Sequence, residues 1–575
     1  MSGPMKNHNM TTMMRTPLTL TAVAACAAFV ALQPGAALAA GPVVTPNAGS
    51  LLREVQPAEP AKTLPEPARV EEAAAPTAGA GPAFVVTQVR FKGQTAINEA
   101  ALQAQVAPVL NTRLTMASLR ALTEKLTAFY RSQGFPFSRV VVPEQDVTQG
   151  TLTLEVLEAR LGRVEIQNQG RIRSPVLEGL SHPLVPGQPI TEAALDRVLL
   201  LMSDTPGSDI RATVKPGQAV GTSDIVIRNQ ATPFVVGSMG LDSQGNHYAG
   251  RLRALGVLTL RNPLGIGDRI DLIGLHTGRG MHYARAAYDT LVNTHGTTLG
   301  GACSTMRYEL GGDISALLAH GSATTCSAWA THPLLRARDR NLQARLQWDG
   351  YKLRDQVDST TVRTFRNIDA VTASLDGSLQ DGLGGGGYNT WGLGATHGRV
   401  HFKDSNAQLS DAASANTAGG FTRLNWNLGR LQNLSDRAQL WISLSGQRST
   451  GNLDSSQKFG LGGPQSVRAY DQSTVSGDSG FQGTLELRYQ LGNFQGPVQA
   501  SVFWDAGRVR VNHTPWPAVT DPNRVSLSGV GVGVNWRPAN QWTVSASIAT
   551  PTGSRPPGQQ QARTGVLWAS VSRSF

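Results

Sequence analysis

Residues 459–490 read FGLGGPQSVRAYDQSTVSGDSGFQGTLELRYQ. A glycine-dense loop leads to VRAY (467–470), a second glycine-rich turn follows, and a clear strand ends the stretch. FWDAG (503–507) then stands inside an alternating strand. An aspartate on the inner wall of a barrel can pair with an arginine on a loop folded into the lumen, through charge-assisted hydrogen bonds. Taken alone, an arginine in such a loop is more often a solvated surface residue.

The chain from residue 231 to residue 575 has the pattern of a membrane barrel. Helical periodicity is absent, and segments of about ten residues alternate apolar with polar or small side chains. Examples are 269–275, 438–444, 498–503 and 542–548, and turns such as NPLGIGD (262–268) separate them. At roughly 20 to 22 residues for each strand with its loop, this part of the chain predicts about 16 antiparallel strands.

The last strand also favours a barrel. Leu567, Ala569 and Val571 share one face with the final Phe575, and an aromatic residue closing an alternating strand is common in outer-membrane barrels. Arg573 on the same face breaks the pattern, so we expect it at the headgroup level, where its side chain can snorkel. A soluble β-sandwich or propeller is the alternative for this half of the chain.

The first 39 residues (1–39) predict a secretory signal peptide. Lys6 and Arg15 give a positive start, an apolar run extends over 18–32, and Ala-Leu-Ala at 37–39 offers a cleavage site. A transmembrane anchor is the alternative, but the run is short and ends in Pro-Gly-Ala. No later stretch approaches 18 apolar residues. A mature chain that lives in a membrane must therefore form a closed barrel.

The net charge is strongly positive. The formal charge is +11, and removing the two cations of the signal leaves about +9 (11 minus 2). An exported protein seldom meets nucleic acid, so no nucleic-acid partner is expected. A positive lumen, contact with anionic lipid headgroups, and no specific role remain open as interpretations.

Two cysteines remain after the signal, Cys303 and Cys326. Gly-Gly-Asp at 311–313 lies almost midway between them. If that tripeptide is the turn of an antiparallel hairpin, the two thiols face each other and form a disulfide in an oxidising compartment. The alternative is two free or mutually distant thiols.

Four regions precede the barrel. Residues 48–56 (AGSLLREVQ) predict one short helix with Ser50 as its cap, and residues 57–83 predict a proline-rich, extended linker. Residues 84–158 predict the order β-α-α-β-β, starting with a strand over 84–91. A second, weaker copy of this order follows at 160–230.

The longest predicted helix of the first copy has one buried face. Its apolar residues recur every three or four positions, at Met116, Leu119, Leu122, Leu126 and Phe129. The two copies together predict two small α+β modules in tandem.

Nothing in the sequence indicates an enzyme. Gly-Asp-Ser-Gly (477–480) looks like the nucleophile loop of a trypsin-like protease, but no histidine stands in a matching context, and a tight turn is the better interpretation. Glycines 384–387 lack the Lys-Ser/Thr of a phosphate loop and predict a surface loop. Histidines lack metal-ligand spacing. We expect no catalytic residue, metal or cofactor.

The motifs LGGPQSVRAY, SGDSG and FWDAGRV together resemble the two-partner secretion transporters (the ShlB/FhaC/HecB type, TpsB), which are relatives of the barrel-assembly protein BamA. AGSLLREVQPAEP looks like the plug helix and linker of that family. YRSQGFPFSRVVVPEQDVTQGTLTLEVLEARLG (130–162) is similar to its first POTRA domain. NPLGIGD, MRYELGGD and HPLLRARDRNL (332–342) resemble its recurring barrel segments. The resemblance covers nearly the whole mature chain.

The resemblance implies a domain order and a site. It implies a plug helix at 48–56, POTRA domains at 84–158 and 160–230, and a 16-stranded barrel at 231–575 whose sixth extracellular loop folds into the lumen. The family's Val-Arg-Gly-Tyr loop tip maps onto Val467, Arg468, Ala469 and Tyr470, and its barrel-wall motif maps onto Phe503 and Asp505.

The implied contact is a salt bridge between Arg468 and Asp505. Ala469 departs from the family's commoner glycine. If its position requires a positive φ, alanine carries a strain cost there.

The implied function is export of an unfolded partner exoprotein across the outer membrane of a Gram-negative bacterium, with the POTRA domains in the periplasm. The POTRA domains and the lumen would bind the exoprotein, which could be a haemolysin, an adhesin or a contact-dependent inhibition toxin. Outer-membrane lipids and the barrel-assembly machinery, which would insert the chain, are the other expected partners. A BamA-like assembly factor, a passive porin-type channel and a surface adhesin are the alternatives.

Overall fold

The computed structural model describes residues 45–55, 69–70, 84–147, 149–219, 221–278, 280–517, 519, 522–553, 556 and 565–575. The predicted signal peptide lies outside the described residues. So does the predicted linker, except for the two residues of strand β1 (Arg69–Val70).

The chain begins, within the described residues, with the short amphipathic helix α1 (Ala48–Val55). Asn47 accepts a hydrogen bond from the backbone N–H of Ser50 at 3.0 Å, and the Ser50 hydroxyl accepts one from the backbone N–H of Asn47 at 2.9 Å. This reciprocal pair is a capping box. Asn47 is therefore the N-cap, and the prediction that Ser50 caps the helix is wrong. Leu51 and Leu52 are buried on the apolar face.

The first α+β unit follows the predicted order. Its elements are β2 (Phe84–Val85), β3 (Gln88–Lys92), α2 (Glu99–Val106), β4 (Arg113–Leu114), α3 (Met116–Ser132), β5 (Arg139–Val141) and β6 (Thr151–Leu157). The strands form the sheet β3-β6-β5, with β3 parallel to β6, and a separate pair of β2 with β4. The strand predicted over 84–91 is broken, because its first residues pair with β4 and its later ones with β6.

The buried face of α3 differs from the prediction at its two ends. Leu119, Leu122 and Leu126 are buried as predicted, but Met116 is 41% exposed and Tyr130 is fully buried. Met116 is the first residue of the helix, and the buried face begins one turn later at Leu119. The Thr115 hydroxyl caps the helix by accepting from the backbone N–H of Ser118.

The second α+β unit repeats the same plan. Its elements are β7 (Arg160–Asn168), α4 (Ser174–Ser181), α5 (Glu192–Asp204), β8 (Asp209–Pro216) and β9 (Thr222–Gln230). The sheet order is β1-β8-β9-β7, so β1 adds to it beside β8 in parallel. The leucine-rich face of α5 and the inner face of the sheet form one apolar core.

The rest of the chain closes into an antiparallel barrel of 16 strands, which confirms the predicted fold and strand number. The ring closes where β10 pairs with β27. In order, the barrel strands are β10 (Val235–Asp242), β11 (Arg253–Arg261), β12 (Asp268–Thr277), β13 (His282–Leu291), β14 (Thr298–Glu309), β15 (Ala319–Arg336), β16 (Arg340–Val357), β17 (Val362–Asp381), β18 (Gly387–Phe402), β19 (Gly419–Asn433), β20 (Ala438–Ser449), β23 (Ser479–Asn493), β24 (Pro497–Arg510), β25 (Arg524–Trp536), β26 (Trp542–Pro551) and β27 (Val566–Ser574).

The loops carry a few further elements. They are the helix α6 (Ser405–Ala412), the hairpin strands β21 (Phe459–Leu461) and β22 (Val475–Gly477), and 3₁₀ turns at Ala107–Val109, Gly312–Leu317, Asp358–Thr360, Leu383–Gly385 and Ser455–Gln457. The glycines at 384–387 therefore lie at the turn between β17 and β18, as the prediction of a surface loop requires. None of the helices in the described ranges has the length and apolar character of a membrane span.

The last strand behaves largely as its alternation predicts. Leu567 and Phe575 are 46% and 56% exposed on the outer face, whereas Trp568 on the other face is buried. The Arg573 guanidinium lies 5.7 Å from the ring centre of Trp542. This outward arginine is therefore accommodated at the barrel end by stacking on an aromatic ring.

The second α+β unit packs directly on one end of the barrel. The guanidinium of Arg336, at the end of β15, donates two hydrogen bonds of 2.8 Å to the carboxylate of Asp204 in α5. Arg338 donates to Asp196 of the same helix at 2.8 Å. The first barrel strand, β10, begins at this end of the barrel, and the last strand, β27, finishes there. It is the end that faces the periplasm if the α+β units do.

Candidate functional site

The lumenal loop, defined as residues 450–478 between β20 and β23, folds into the barrel. Its strands β21 and β22 form an antiparallel hairpin, and its tip is buried: Val467, Ala469 and Tyr470 are at most 3% exposed. Together with Leu461 the tip residues share one apolar cluster with wall residues that include Phe503. A loop that is buried to this extent is an internal part of the barrel.

Arg468 and Asp505, the predicted pair, are in contact at the loop tip. The Arg468 Nε donates to Asp505 Oδ2 at 2.8 Å, its Nη2 donates to Oδ1 at 2.9 Å, and its backbone N–H donates to Oδ2 at 3.1 Å. Thr484 of β23 adds a hydroxyl donor to Oδ1 at 2.9 Å. Asp505 is only 1% exposed, so the bidentate cation is its main charge compensation.

Three further residues of the barrel wall contact Arg468. Its Nη1 donates to Glu486 Oε2 at 2.7 Å, and its guanidinium carbon lies 3.3 Å from the ring centre of Phe503. Trp568 of the last strand donates its indole N–H to the Arg468 carbonyl at 2.8 Å. The arginine therefore joins the loop to β23, β24 and β27. Glu486 and Trp568 were not predicted, and only their position on inward faces of strands could have indicated them.

Ala469 sits in the tip without backbone strain. Its φ is not positive, so the predicted strain cost of alanine at this position does not arise. Its side chain packs against Gly529 of β25, where an added Cβ would lie 2.3 Å from the Ala469 Cβ. Tyr470 reaches the same strand, since its hydroxyl donates to the Ser528 carbonyl at 3.4 Å. At the contact of Ala469 with Gly529 the tip approaches the wall closely because both residues are small.

The Gly-Asp-Ser-Gly segment (477–480) is not the tight turn predicted. It is a bend between β22 and β23, so its first and last residues belong to strands. Asp478 is fully buried and accepts backbone hydrogen bonds from Leu453 at 3.0 Å and His513 at 2.6 Å, while Lys458 lies 3.1 Å away. The acidic residue therefore fixes the base of the lumenal loop.

Helix α1 lies inside the barrel and packs on its wall. Ala48, Leu51, Leu52 and Val55 belong to one apolar cluster with inward residues of β12 to β19. The backbone N–H of Ala48 donates to Asp355 of β16 at 2.7 Å, and this carboxylate also accepts from the Tyr308 hydroxyl at 2.6 Å. A carboxylate at a helix N-terminus is stabilising because free N–H groups and the helix dipole point at it.

A buried arginine connects α1 with the base of the lumenal loop. Arg366 of β17 donates to Asp355 at 2.7 Å and forms a second ion pair with Asp454 of the loop. Arg53 of α1 reaches the same loop and donates to the Ser455 carbonyl at 3.2 Å. We call Arg366, Asp355 and Asp454 the latch. Sequence reasoning missed the latch, because its members are far apart in the chain and belong to no local motif.

Cys303 and Cys326 are directly opposite in the register of β14 and β15 and form a disulfide. The loop between the two strands contains the glycines at 311–312, close to where the sequence predicts a hairpin turn.

Replacing both cysteines by serine is expected to lower the thermal stability of the barrel and to leave transport unchanged. The bond closes a loop of more than 20 residues, and such a crosslink typically contributes about 2–4 kcal/mol. The temperature at which the folded, heat-modifiable band disappears on gels measures the effect. An unchanged temperature would contradict a stabilising role.

The sequence and fold match one protein family. The family model of the haemolysin secretion/activation proteins ShlB/FhaC/HecB matches residues 221–568, more than half of the chain. The model of the ShlB-type POTRA domain matches residues 84–159. The chain belongs to the ShlB/FhaC/HecB family.

Relatives of this transporter family align over most of the chain. The heme/hemopexin transporter protein HuxB of Haemophilus influenzae (strain 86-028NP) is 25% identical, covering 86% of this chain and 87% of the relative. The outer membrane transporter CdiB of Dickeya dadantii is 24% identical over 83% of this chain and 85% of its own. The hemolysin transporter protein ShlB of Serratia marcescens is 27% identical over 71% and 72%.

Solved structures share the fold. CdiB from Escherichia coli superimposes with a TM-score of 0.67 at 22% identity, covering 86% of this chain and 91% of the other. BamA from Haemophilus ducreyi without its first three POTRA domains gives 0.50 at 14% identity, covering 86% and 100%. The transporter is thus an outer-membrane barrel with its POTRA domains in the periplasm, as predicted, and the end of the barrel that carries them is the periplasmic end.

Proposed function

We propose that this transporter secretes an unfolded partner exoprotein through its barrel, and that Arg468 and Asp505 hold the lumenal loop in its working position. The observation that carries the proposal is the bidentate, almost completely buried contact between these residues. The lumenal loop and helix α1 both pack against the inner wall of the barrel. In this scheme the helix leaves the lumen before an extended chain passes.

The cargo first binds the POTRA domains in this scheme. An extended segment can add as a strand to a free sheet edge, with backbone hydrogen bonds giving affinity and neighbouring apolar side chains giving selectivity. Among the described residues, the sheet of the first domain is open at both of its edge strands, β3 and β5. In the second domain, the edge that corresponds to β5 is the strand β8, which is already paired with β1. We propose that the first domain receives the cargo first, at the edge of β5, which is covered in the second domain.

The driving force in this scheme comes from the cargo itself. Folding outside the cell buries apolar surface and prevents return of the segment that has emerged. The relatives are named as a heme/hemopexin transporter, an outer membrane transporter (CdiB) and a hemolysin transporter. We propose a haemolysin, adhesin or contact-dependent inhibition toxin as cargo, and a transporter without catalytic activity.

The proposal is tested by secretion in cells where this chain is the only such transporter. Candidate exoproteins encoded near the transporter are expressed with and without it, and the culture medium and cell surface are analysed by immunoblotting. We expect a cargo to appear outside only when the transporter is present. If every candidate is indifferent to the transporter while other barrels misassemble without it, the function is barrel assembly.

The assembly alternative has one specific observation in its favour, the fold shared with BamA. The position of α1 argues against the assembly function, because the helix is bound by the barrel wall through Asp355 and by the lumenal loop through Arg53. A helix bound inside the lumen suits a protein whose lumen is the path of the substrate. Depletion of the transporter is therefore expected to leave the levels of other outer-membrane barrels unchanged.

Docking of α1 is expected to weaken as the pH rises towards neutrality. Burial raises the pKa of the Glu54 carboxyl from 4.5 to about 7, and hydrogen bonds from Ser473 and Asn246 and the charge of Arg53 offset only part of the rise. A raised carboxyl pKa means that the docked helix favours the protonated form. The stabilisation is complete below about pH 4.5 and is lost as the pH passes 7.

Single-channel conductance in planar bilayers measures this effect. The fraction of time spent in open states is expected to rise between pH 5 and pH 8, and the Glu54→Gln variant should show a flat profile. Glu178, an exposed carboxylate of the second POTRA domain, offers the matched control Glu178→Gln. An unchanged pH profile in Glu54→Gln would exclude Glu54 as the titrating group.

A further inference from the structure

The outer face of the barrel carries a cluster of cations near the extracellular ends of β14, β16 and β18. We call Arg307, Lys352, Arg354, Arg399 and His401 the basic patch, and all five side chains are exposed. These residues contribute to the net positive charge of the chain, whose role the sequence alone leaves open.

Strand alternation shows that the patch faces outward. On β16, Leu346 and Trp348 are 57% and 44% exposed on the lipid-facing side, and every second residue from there belongs to the same face. That face continues through Gly350 to Lys352 and Arg354. The outer surface of the strand thus changes from apolar to cationic beyond Trp348, which is the change expected where acyl chains give way to headgroups.

The strand register brings the cations close to one another. Arg307 pairs with Ser322, and Ser322 pairs with Arg354, so two arginines flank one hydroxyl. Lys352 and His401 are likewise separated by a single strand. Neighbouring strands lie about 4.8 Å apart, so the backbones of such cations are roughly 10 Å apart. Long side chains from both sides can converge on one anion over that distance.

The central cations of the patch have no acidic partner. Among the described residues, Arg307, Lys352 and Arg354 form no ion pair and no side-chain hydrogen bond, and Arg354 packs against Phe365 with 5.8 Å to the ring centre. Two exposed carboxylates lie at the edges of the patch: Asp369 is in register with Arg399, and Glu309 follows Arg307 on the same face of β14. The excess of positive charge is therefore available to an external anion.

An apolar groove lies on the same outer face, toward the periplasmic side of the patch. Its volume is about 490 Å³, and Ala344, Ala373 and Ala395 form its floor between the side chains of Leu346 and Leu393. The groove and the patch share strands β16 and β18. Leu346 in the groove and Lys352 in the patch are six residues apart on β16, a distance of about 20 Å. This separation matches the length of one extended acyl chain.

We propose that this face binds a phosphorylated glycolipid of the outer leaflet, with its phosphate on the basic patch and an acyl chain in the groove. Arginine suits phosphate because its planar guanidinium donates two parallel hydrogen bonds, and lysine adds a point charge. The apolar groove accepts any acyl chain, so the cations provide the selection for an anionic headgroup. The patch and the groove are complementary to the two parts of one molecule.

The test measures lipid binding by the full-length transporter in a neutral detergent. Native mass spectrometry gives its affinities for bisphosphorylated lipid A and for the same lipid after enzymatic removal of both phosphates. We expect the phosphorylated form to bind at least about tenfold more tightly, given roughly fivefold for each cation near the headgroup. The triple variant Arg307→Gln, Lys352→Gln, Arg354→Gln should lose this preference.

A matched control removes three cations elsewhere. Arg340, Arg437 and Arg537 are exposed at the periplasmic turns, and their triple replacement by glutamine lowers the net charge equally. This control should keep the wild-type preference, and heat-modifiable mobility verifies that both triple variants fold.

A second variant, Ala373→Phe, fills the groove. It should weaken binding of the phosphorylated and the dephosphorylated lipid alike.

Three results would overturn the proposal. Equal affinity of the wild type for both lipids would mean that acyl chains alone bind. Retained preference in the triple patch variant would place the site elsewhere. Competition by inorganic phosphate at concentrations similar to the lipid would show a site for free anions instead of a lipid.

Discussion

Replacing Arg468 by alanine is expected to reduce secretion of the partner exoprotein at least about tenfold while the barrel still folds and inserts. The substitution removes the two side-chain hydrogen bonds to Asp505 and the one to Glu486, and it leaves an aspartate at 1% exposure without its cation. Breaking a buried pair in this way typically costs about 3–5 kcal/mol. The loop tip is then expected to detach from the barrel wall. The barrel itself should stay folded, because the pairing of its strands does not depend on the loop tip.

The neighbouring Arg488 supplies a matched control. It donates to the other oxygen of Glu486 at 2.9 Å and stacks near Trp441, but it belongs to the wall and does not hold the loop. Arg488→Ala should therefore secrete normally. Arg468→Lys should be intermediate, because lysine keeps the charge and loses the bidentate geometry. Normal secretion by Arg468→Ala, with heat-modifiable mobility and surface exposure unchanged, would remove the role assigned to this residue.

Replacing Arg366 by alanine is expected to release α1 and to increase the ion conductance of the resting barrel severalfold. Arg366 is buried between Asp355, which receives the first N–H of the helix, and Asp454 of the lumenal loop. Its loss leaves two carboxylates close together without their shared cation, again at about 3–5 kcal/mol. The measurement is the conductance of the purified protein in planar bilayers.

Two comparisons make this test specific. Arg430→Ala breaks an ion pair with Asp381 near the periplasmic turn between β17 and β18, far from α1 in the strand register, and should leave the conductance unchanged. Deletion of residues 45–55 should open the barrel by itself. Arg366→Ala should then add nothing to the deletion, because both act through the same helix. A further increase in the double variant would show that the latch acts on the barrel directly.

Much of the fold could be predicted because β-barrels require two-residue alternation over every strand. The strand number of 16 followed from the length of the alternating region, and the register of Cys303 with Cys326 followed from a central turn. Positions at which an alternating segment changes its pairing partner were harder to predict. The segment 84–91 alternates throughout, yet its two halves pair with different strands, and the pairing partner is not encoded locally.

The site could be predicted only where a local motif carries it. The loop tip and the strand of Asp505 are compact motifs, and the resemblance to the family brought Arg468 and Asp505 together. The latch has no such signal, because 88 residues separate Arg366 from Asp454. The Gly-Asp-Ser-Gly segment does carry a local signal, but the prediction from it was wrong. Its composition is that of a turn, whereas hydrogen bonds from Leu453 and His513 to its aspartate impose a bend between strands.

Passage of a cargo through the purified transporter tests the central claim most directly. Liposomes containing only this protein, oriented with the POTRA domains outward, are given an unfolded exoprotein fragment, and protease added outside then digests whatever has not entered. We expect a protected fragment that accumulates with time in the wild type and is at least about tenfold weaker in Arg468→Ala. Complete digestion with the wild type, in liposomes whose barrels are folded and conduct ions, would contradict it.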